Sequence, residues 1–474
     1  MLKVGPGRSG STRHRGESAR PHVLVIVQNL PVPLDRRVWL ECRTLAAAGY
    51  EVSVICPKGP GDPGHAVIQG IHVYKYRPAP KTEGVLSYAV EFGYCWLRTA
   101  LLSLKVWARR PFAVIQACNP PDTYWLLARL WARRGVQFVF DQHDLNPELY
   151  LSRFGEPTTA AGRLQYGGLR WLERMTYRTA RYVISTNESY RAVAMGRGKR
   201  AADDVVVVRS GPETDKMRPV YPERPVPADH PKTLVYLGVM GPQDGVDVVL
   251  TVLHDLVWRR GRRDVRAVLM GFGDCYEQLR TTAHELDLDD WVTFTGRADL
   301  DVIADQLSAA DIGLCPDLKS PLNDISTMNK TMEYMAYALP SVAFDLTETR
   351  VSGGDSVLYV DSGDVTGFAD AVVRLLDDDA LRGELGRRAR DRVAGELDWR
   401  TQSAFYLSVF DRLTGGAAAD ERPAPAAAAS TETDGQACDH RGRRYVDLDD
   451  TDALEAFIVD RGPLPALRRL GSVA

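Results

Sequence analysis

The residue types best able to do chemistry gather between Asp317 and Arg350, in the stretch DLKSPLNDISTMNKTMEYMAYALPSVAFDLTETR. Ser326, Lys330 and Glu333 stand at i, i+4 and i+7, on one face of a helix for which Ser326 is the expected N-cap. Met328, Met332 and Met335 take the core-facing side. The start of such a helix offers an anion free backbone N–H groups and the positive end of the helix dipole. Lys330 would neutralise a second phosphoryl oxygen, and Glu333 would accept two hydrogen bonds from a vicinal diol. A diphosphate followed by ribose hydroxyls, a nucleoside diphosphate, carries all of these groups. Taken alone, the segment is equally compatible with a capped surface helix carrying one i,i+3 ion pair.

Other candidates lie beyond strand ends. LVYLGVMGPQDGVD places Gly238-Val239-Met240-Gly241-Pro242 between a strand and a helix, where the two glycines let backbone approach an anion closely. Alone this is a weak signal, since turns after parallel strands need glycine anyway. Gly271-Phe272-Gly273-Asp274 reads the same way, and Arg297 after Gly296 could sit beside a base or a phosphate. In FDQHDLNPELY, His143 follows a strand end, with Asp144 and Glu148 placed to orient it or a substrate. Asp35-Arg36-Arg37 forms a charged loop at the same rim, or else a solvated helix start.

The elements that must position these residues read as two βαβ series. Val23–Val27, Val52–Cys56, His72–Tyr76, Ala113–Gln116, Phe138–Asp141, Tyr182–Ser185 and Val205–Val208 are short apolar runs separated by helical pattern. A second series runs from Thr233–Gly238 to Val357–Val360. The expected fold is α/β: two Rossmann-like, doubly wound parallel-sheet domains with their strand ends facing a central cleft. The expected divisions are a disordered basic arm (1–20), a first domain (21–209) and a Pro-rich linker (210–231). A second domain (232–396), a closing helix (397–414), a flexible Ala/Pro-rich spacer (415–442) and a short appended segment (443–474) follow.

A net charge of −3 gives no electrostatic reason to expect nucleic acid as a partner. The seven cysteines show no C-x-x-C spacing, which fits a reducing cytoplasm and argues against a disulfide framework or structural zinc. No His or acidic cluster at ligand spacing is evident, so no metal or other cofactor is expected. No apolar run is long enough to span a membrane. Leu86–Arg110 and Leu164–Arg181 interleave aromatics (Tyr88, Trp96, Trp107, Trp171) with basic residues, a pattern that suits an anionic membrane surface or ordinary core helices with polar outer faces.

The ordered set LVYLGVMGPQDGVD, VLMGFGD, VTFTGR, AADIGLCPD and MNKTMEYMAYALPSVAFD resembles the family 4 glycosyltransferases, retaining enzymes of the GT-B fold, over about residues 22–415. The last segment resembles the family's E-x7-E helix. Glu333 matches its second Glu, which the resemblance assigns to the ribose hydroxyls, and His143 falls where the family often has a histidine beside the donor sugar. Trp399 resembles the start of the helix that crosses back to the first domain. The chain departs from the pattern at Ile325, which stands where the first Glu belongs, and at Val239 and Asp244, which stand where an Arg and a Lys usually hold the diphosphate. A variant donor site is expected.

In it Asn323 and Asp324 stand in for the first Glu, and Gly238, Met240, Gly241, Arg297, Ser326, Thr327, Asn329, Lys330 and Glu333 hold the nucleotide sugar. His143, Asp324 and Lys330 are the expected catalytic groups, and Asp35, Arg36 and Asp144 face the acceptor. The implied reaction is transfer of a sugar from a nucleotide-diphosphate sugar, a UDP-sugar on family grounds, to a hydroxyl acceptor with retention. The implied setting is polysaccharide, glycolipid or glycoconjugate synthesis in the cytoplasm, at the inner face of the membrane. A sugar-nucleotide epimerase or hydrolase, and a binding scaffold without turnover, are the alternatives.

Overall fold

The computed structural model describes residues 21–79, 85–221, 230–415, 431–433 and 436–461; the expected basic arm and most of the spacer lie outside them. The first domain is an eight-stranded sheet of order β3-β4-β2-β1-β5-β6-β7-β8. Its strands are β1 (His22–Ile26), β2 (Glu51–Pro57), β3 (His65–Ile68), β4 (Ile71–Tyr76), β5 (Val114–Cys118), β6 (Gln137–Gln142), β7 (Tyr182–Ser185) and β8 (Val205–Val207). The β-branched runs of β1, β5 and β7 are buried throughout, as strands covered by helices on both faces must be. All pairings are parallel except β3 with β4. That hairpin turns through Gln69 and Gly70, both at positive φ, as two-residue hairpin turns require. The strand-like run before it was too short and too exposed to register as a strand in the sequence.

Between these strands lie α1 (Arg36–Ala47), α2 (Val85–Arg109), α3 (Trp125–Ala132), α4 (Asn146–Phe154), α5 (Ala160–Thr179) and α6 (Glu188–Gly196). The second domain is a six-stranded parallel sheet of order β11-β10-β9-β12-β13-β14. It comprises β9 (Lys232–Val239), β10 (Val265–Phe272), β11 (Val292–Gly296), β12 (Ile312–Cys315), β13 (Ser341–Phe344) and β14 (Val357–Val360). Its helices are α7 (Val246–His254), α8 (Tyr276–Glu285), α9 (Leu300–Ala309), α10 (Asn329–Ala336), α11 (Thr347–Gly353), α12 (Val365–Asp377) and α13 (Asp379–Arg392). Both halves match the expected GT-B architecture.

The chain then crosses back as α14 (Trp399–Thr414). Trp399 donates its indole N–H to Thr44, Tyr50 donates to Asp411, and Tyr406 is buried against the first sheet. The two crossing segments touch at Gly211, where a Cβ would lie 1.7 Å from the Leu397 carbonyl oxygen, so only glycine fits. Residues 436–461, expected to be partly spacer, instead dock on the second domain. Val446, Leu454, Phe457 and Ile458 cluster on Ala338, and α15 (Thr451–Val459) lies along α13. The fully buried Arg461 donates to the carbonyls of Leu307, Tyr337 and Ala338, at the ends of α9 and α10.

Candidate functional site

On the second-domain side, α10 begins at Asn329, two residues later than a cap at Ser326 implies, and Met328 at its cap position makes no side-chain bond. The intervening residues are drawn into tertiary contacts. Ser326 is therefore not an N-cap: its hydroxyl donates to the Leu322 carbonyl (2.7 Å) and meets the Tyr190 hydroxyl of the first domain (2.9 Å). Thr327 Oγ1 accepts from Asn187 Nδ2 at 3.0 Å. Asn323, expected on the donor, is buried and donates to the carbonyls of Gln243 and Leu318, tying this loop to the turn after β9. Asp324, expected to be catalytic, pairs with Lys319 and accepts from the Thr347 amide at the start of α11; against the effect of burial, the Thr347 bond first and Lys319 second hold its pKa below the usual carboxylate range. Ile325 packs with Leu145, Tyr190 and Leu322 in a small apolar cluster between the domains. An aliphatic side chain there is a contact surface where the family pattern has a sugar-binding carboxylate.

Lys330 is buried, its ammonium 2.6 Å from Asp317 and 5.2 Å from the ring centre of Tyr236. Burial works to lower its pKa, but the charge of Asp317 outweighs it and the pKa is raised, so Lys330 stays charged. It lies directly under Gly238, where a Cβ would come within 3.2 Å of Lys330 Cε. The ends of β9 and β10 pair closely: a Cβ on Gly271 would sit 1.9 Å from the Gly238 carbonyl oxygen. Met240 is buried in the core with its N–H bonded to the Phe272 carbonyl, so it presents no group to a ligand. The Gly241 amide donates to Asp244 at 2.8 Å. Burial lifts the Asp244 pKa to about 6, although the charge of Lys330 pulls it down. Arg297 is exposed and stacks over Phe272, 4.9 Å from the ring centre, and Asn329 is exposed at the start of α10. A cavity of about 550 Å³ opens at Val239, Gly241, Phe272, Gly273 and Tyr276, with Arg153 of the first domain on its wall.

Glu333 faces the first domain. Its carboxylate meets Arg36 at 2.7 Å, so the expected donor-side glutamate and the expected acceptor-side arginine are bonded to each other across the cleft. Asp35 caps α1 by accepting from the Val38 amide, a helix-start role that leaves the cleft to Arg36. The next residue, Arg37, turns inward. It lies 3.0 Å from Glu41 and 3.3 Å from Asp141, and donates to Val208 O and Ser210 Oγ in the segment leading to the second domain. Asp141 Oδ2 lies 2.8 Å from His143 Nε2 and accepts from Gln116 at 2.8 Å. Burial favours protonating both acids, but His143 and Arg37 outweigh it for Asp141, which stays ionised, while burial and the charge of Asp141 push the proton onto Glu41. Arg37 Nε donates to His143 Nε2 at 3.2 Å, and with Nε2 held between Arg37 and Asp141, Nδ1 is left as the ring atom able to meet a ligand.

Atoms of Glu41, Cys118, Asp141 and His143 lie within 4.8 Å of one another, close enough for a metal, but the Arg37 guanidinium already supplies the positive charge. Asp144 is held through its backbone by Asn119 Oδ1, and burial raises its pKa. Glu148, expected to orient His143, is instead gripped by both terminal nitrogens of Arg197.

Residues 34–211 match the family described as Glycosyl transferase 4-like domain, and residues 231–378 match Glycosyl transferases group 1. The chain is a GT-B glycosyltransferase. It is 27% identical over 397 residues to the phosphatidyl-myo-inositol mannosyltransferase of Mycolicibacterium smegmatis, covering 82% of this chain and 92% of that one. It is 25% identical over 361 residues to the 2-deoxystreptamine glucosyltransferase of Streptomyces kanamyceticus, covering 71% and 87%. Among solved structures, sucrose-phosphate synthase of Thermosynechococcus elongatus superposes with a TM-score of 0.66 at 19% identity, over 84% of this chain and all of that one. The sequence reading placed Arg37 in a charged rim loop; that it turns inward to a network with Glu41, Gln116 and Asp141 went unread. The available signal was an acid in the otherwise apolar run Phe138–Asp141, two residues before His143, and an Arg-x-x-x-Glu pair on the buried side of α1.

Proposed function

We propose that the transferase moves a sugar from a nucleotide-diphosphate sugar, UDP-linked by preference, to a hydroxyl of a membrane-associated acceptor, with retention and without a metal or other cofactor. The observation that carries this reading is the pair Arg36–Arg37. One arginine holds Glu333 on α10 and its neighbour sits in the Asp141–His143 network, so the diol-binding carboxylate and the histidine occupy opposite walls of one cleft. In the reaction the bond from the anomeric carbon to the β-phosphate oxygen breaks, the acceptor oxygen bonds to that carbon on the same face, and the acceptor proton passes to the departing phosphate oxygen. The start of α10, the Gly238–Gly241 turn and the charge of Lys330 stabilise the growing negative charge. His143, oriented by Asp141, positions a sugar hydroxyl through Nδ1. The mannosyltransferase relative, whose name gives a phosphatidyl-inositol acceptor, supports a lipid acceptor.

A membrane-facing surface supports the same reading. No helix among the described residues is long and apolar enough to cross a membrane. However, α2, α3 and α5 cover one face of the first sheet and expose Leu97, Leu101 and Leu104, Leu126 and Leu130, and Leu164 and Trp171. These apolar residues stand among Arg98, Lys105, Arg133, Arg174 and Arg178, which suits peripheral binding to an anionic inner leaflet. Tyr88 of the same helix lies outside the residues whose side chains are described.

The test is a thermal-shift screen against UDP-, GDP-, TDP- and CDP-sugars, with Glu333→Ala and Lys330→Ala as controls. At least one nucleotide should raise the melting temperature of the wild type and leave both variants unmoved. No response from any of the four, or equal responses from the variants, would remove the proposed donor site.

A further inference from the structure

We infer that Arg153, at the end of α4 in the first domain, supplies a cation to the diphosphate from across the cleft, at a cavity whose second-domain wall carries none; this rests on the nucleotide-sugar reading above. The end of β9 and the glycine turn after it contribute Val239 and Asp244, one apolar and one acidic side chain. Asp274 and Glu277 add two further carboxylates to the wall of the cavity at this turn. A diphosphate entering there meets net negative charge unless a cation faces it. Of the residues lining the cavity, Arg153 alone is cationic, and it reaches it from across the cleft.

Arg153 is exposed and makes no hydrogen bond or ion pair among the described residues, in a molecule where most neighbouring cations are already engaged. Arg36 is on Glu333, Arg37 is in the Asp141 network, Lys330 is on Asp317, and Arg297 stacks on Phe272. Its positive charge is felt at both Asp244 and Asp144, one on each side of the cleft. A guanidinium with unspent donors matches a phosphate in the two-pronged manner that a lysine cannot. It stays protonated throughout and takes no part in the proton transfer: the acceptor proton still ends on the leaving phosphate oxygen. Because the cation and the glycine turn belong to different domains, the diphosphate is fully neutralised only when the domains are closed on it. Donor binding and closure are thereby coupled.

The experiment measures dissociation constants of UDP and GDP, and of UMP and GMP, by calorimetry on the full chain as wild type, Arg153→Ala, Arg153→Lys and Arg153→Ala with Val239→Arg. For whichever base binds, Arg153→Ala should weaken the diphosphate about tenfold or more. It should weaken the monophosphate clearly less, and it should leave the melting temperature without nucleotide unchanged. Arg153→Lys should fall between, and Val239→Arg, which restores a cation on the same cavity wall, should recover much of the loss. Wild-type diphosphate affinity in Arg153→Ala would overturn the assignment of Arg153 and leave the donor site standing. Absence of diphosphate binding in the wild type would overturn both.

Discussion

Replacing Glu333 and Arg36 by alanine, singly and together, tests the donor side of the cleft by a thermodynamic cycle. The Glu333 carboxylate is nearly buried, with 11% of its side chain exposed, whereas the side chain of Arg36 is 49% exposed. The ion pair between them is screened on the arginine side and is worth about 0.5 kcal/mol. A ribose diol that takes Glu333 must displace Arg36, so Arg36→Ala should tighten nucleotide binding by about twofold. Glu333→Ala removes a charged acceptor for two hydroxyls, a loss of about 1.5–3 kcal/mol or roughly 10–150-fold in affinity. In the double variant the gain from Arg36→Ala should vanish, because the carboxylate it competes for is gone. Calorimetric titration with UDP and GDP reads all four corners. The reasoning fails if Glu333→Ala binds like wild type, or if Arg36→Ala weakens binding severalfold, which would place Arg36 on the nucleotide itself.

Three further perturbations follow from the same geometry. Asp244 has its pKa lifted to about 6, so it is largely protonated below that pH and carries a charge beside the phosphates above it. A UDP-sugar has no group of its own titrating there, so its affinity should fall several-fold between about pH 5.5 and 7.5. Asp244→Asn should flatten that profile, and a slope that survives the substitution would refute the link. Lys330→Met strands the buried Asp317 and should cost about 3–5 kcal/mol in chemical denaturation. Adding Asp317→Asn should restore most of the stability but not turnover; recovered turnover would make Lys330 purely structural. Arg461→Ala uncaps three buried carbonyls at the ends of α9 and α10 and should cost about 2–4 kcal/mol, seen as a lower melting temperature, whereas an unchanged melt would show the C-terminal segment to be dispensable.

Much of the architecture was legible because parallel strands buried on both faces read as short β-branched runs, and such runs mark every parallel strand of both sheets. The edge strand β3 escaped because its apolar run, Ala66–Ile68, is only three residues long. Lys330 and Glu333 were placed on one helix because their spacing is a property of a single helix. Ser326 and Asp324 were misplaced because local pattern favours a cap and a free carboxylate at those positions. In the folded chain Tyr190 takes the hydroxyl of Ser326 and the Thr347 amide takes the carboxylate of Asp324.

What the sequence by itself determined is whatever depends on neighbours a few residues away: the strands, the glycine turns after them, and a helix bearing a lysine and a glutamate one turn apart. Tertiary structure decided which of those groups are already engaged. Asp317 holds Lys330 and Arg36 holds Glu333, His143 leans on Asp141, and Arg153 remains unpaired on the wall of the cavity. These partners lie 2 to nearly 300 residues apart in the chain, and the strength of an ion pair depends on distance and on exclusion of water, which only the closed packing of the two domains sets.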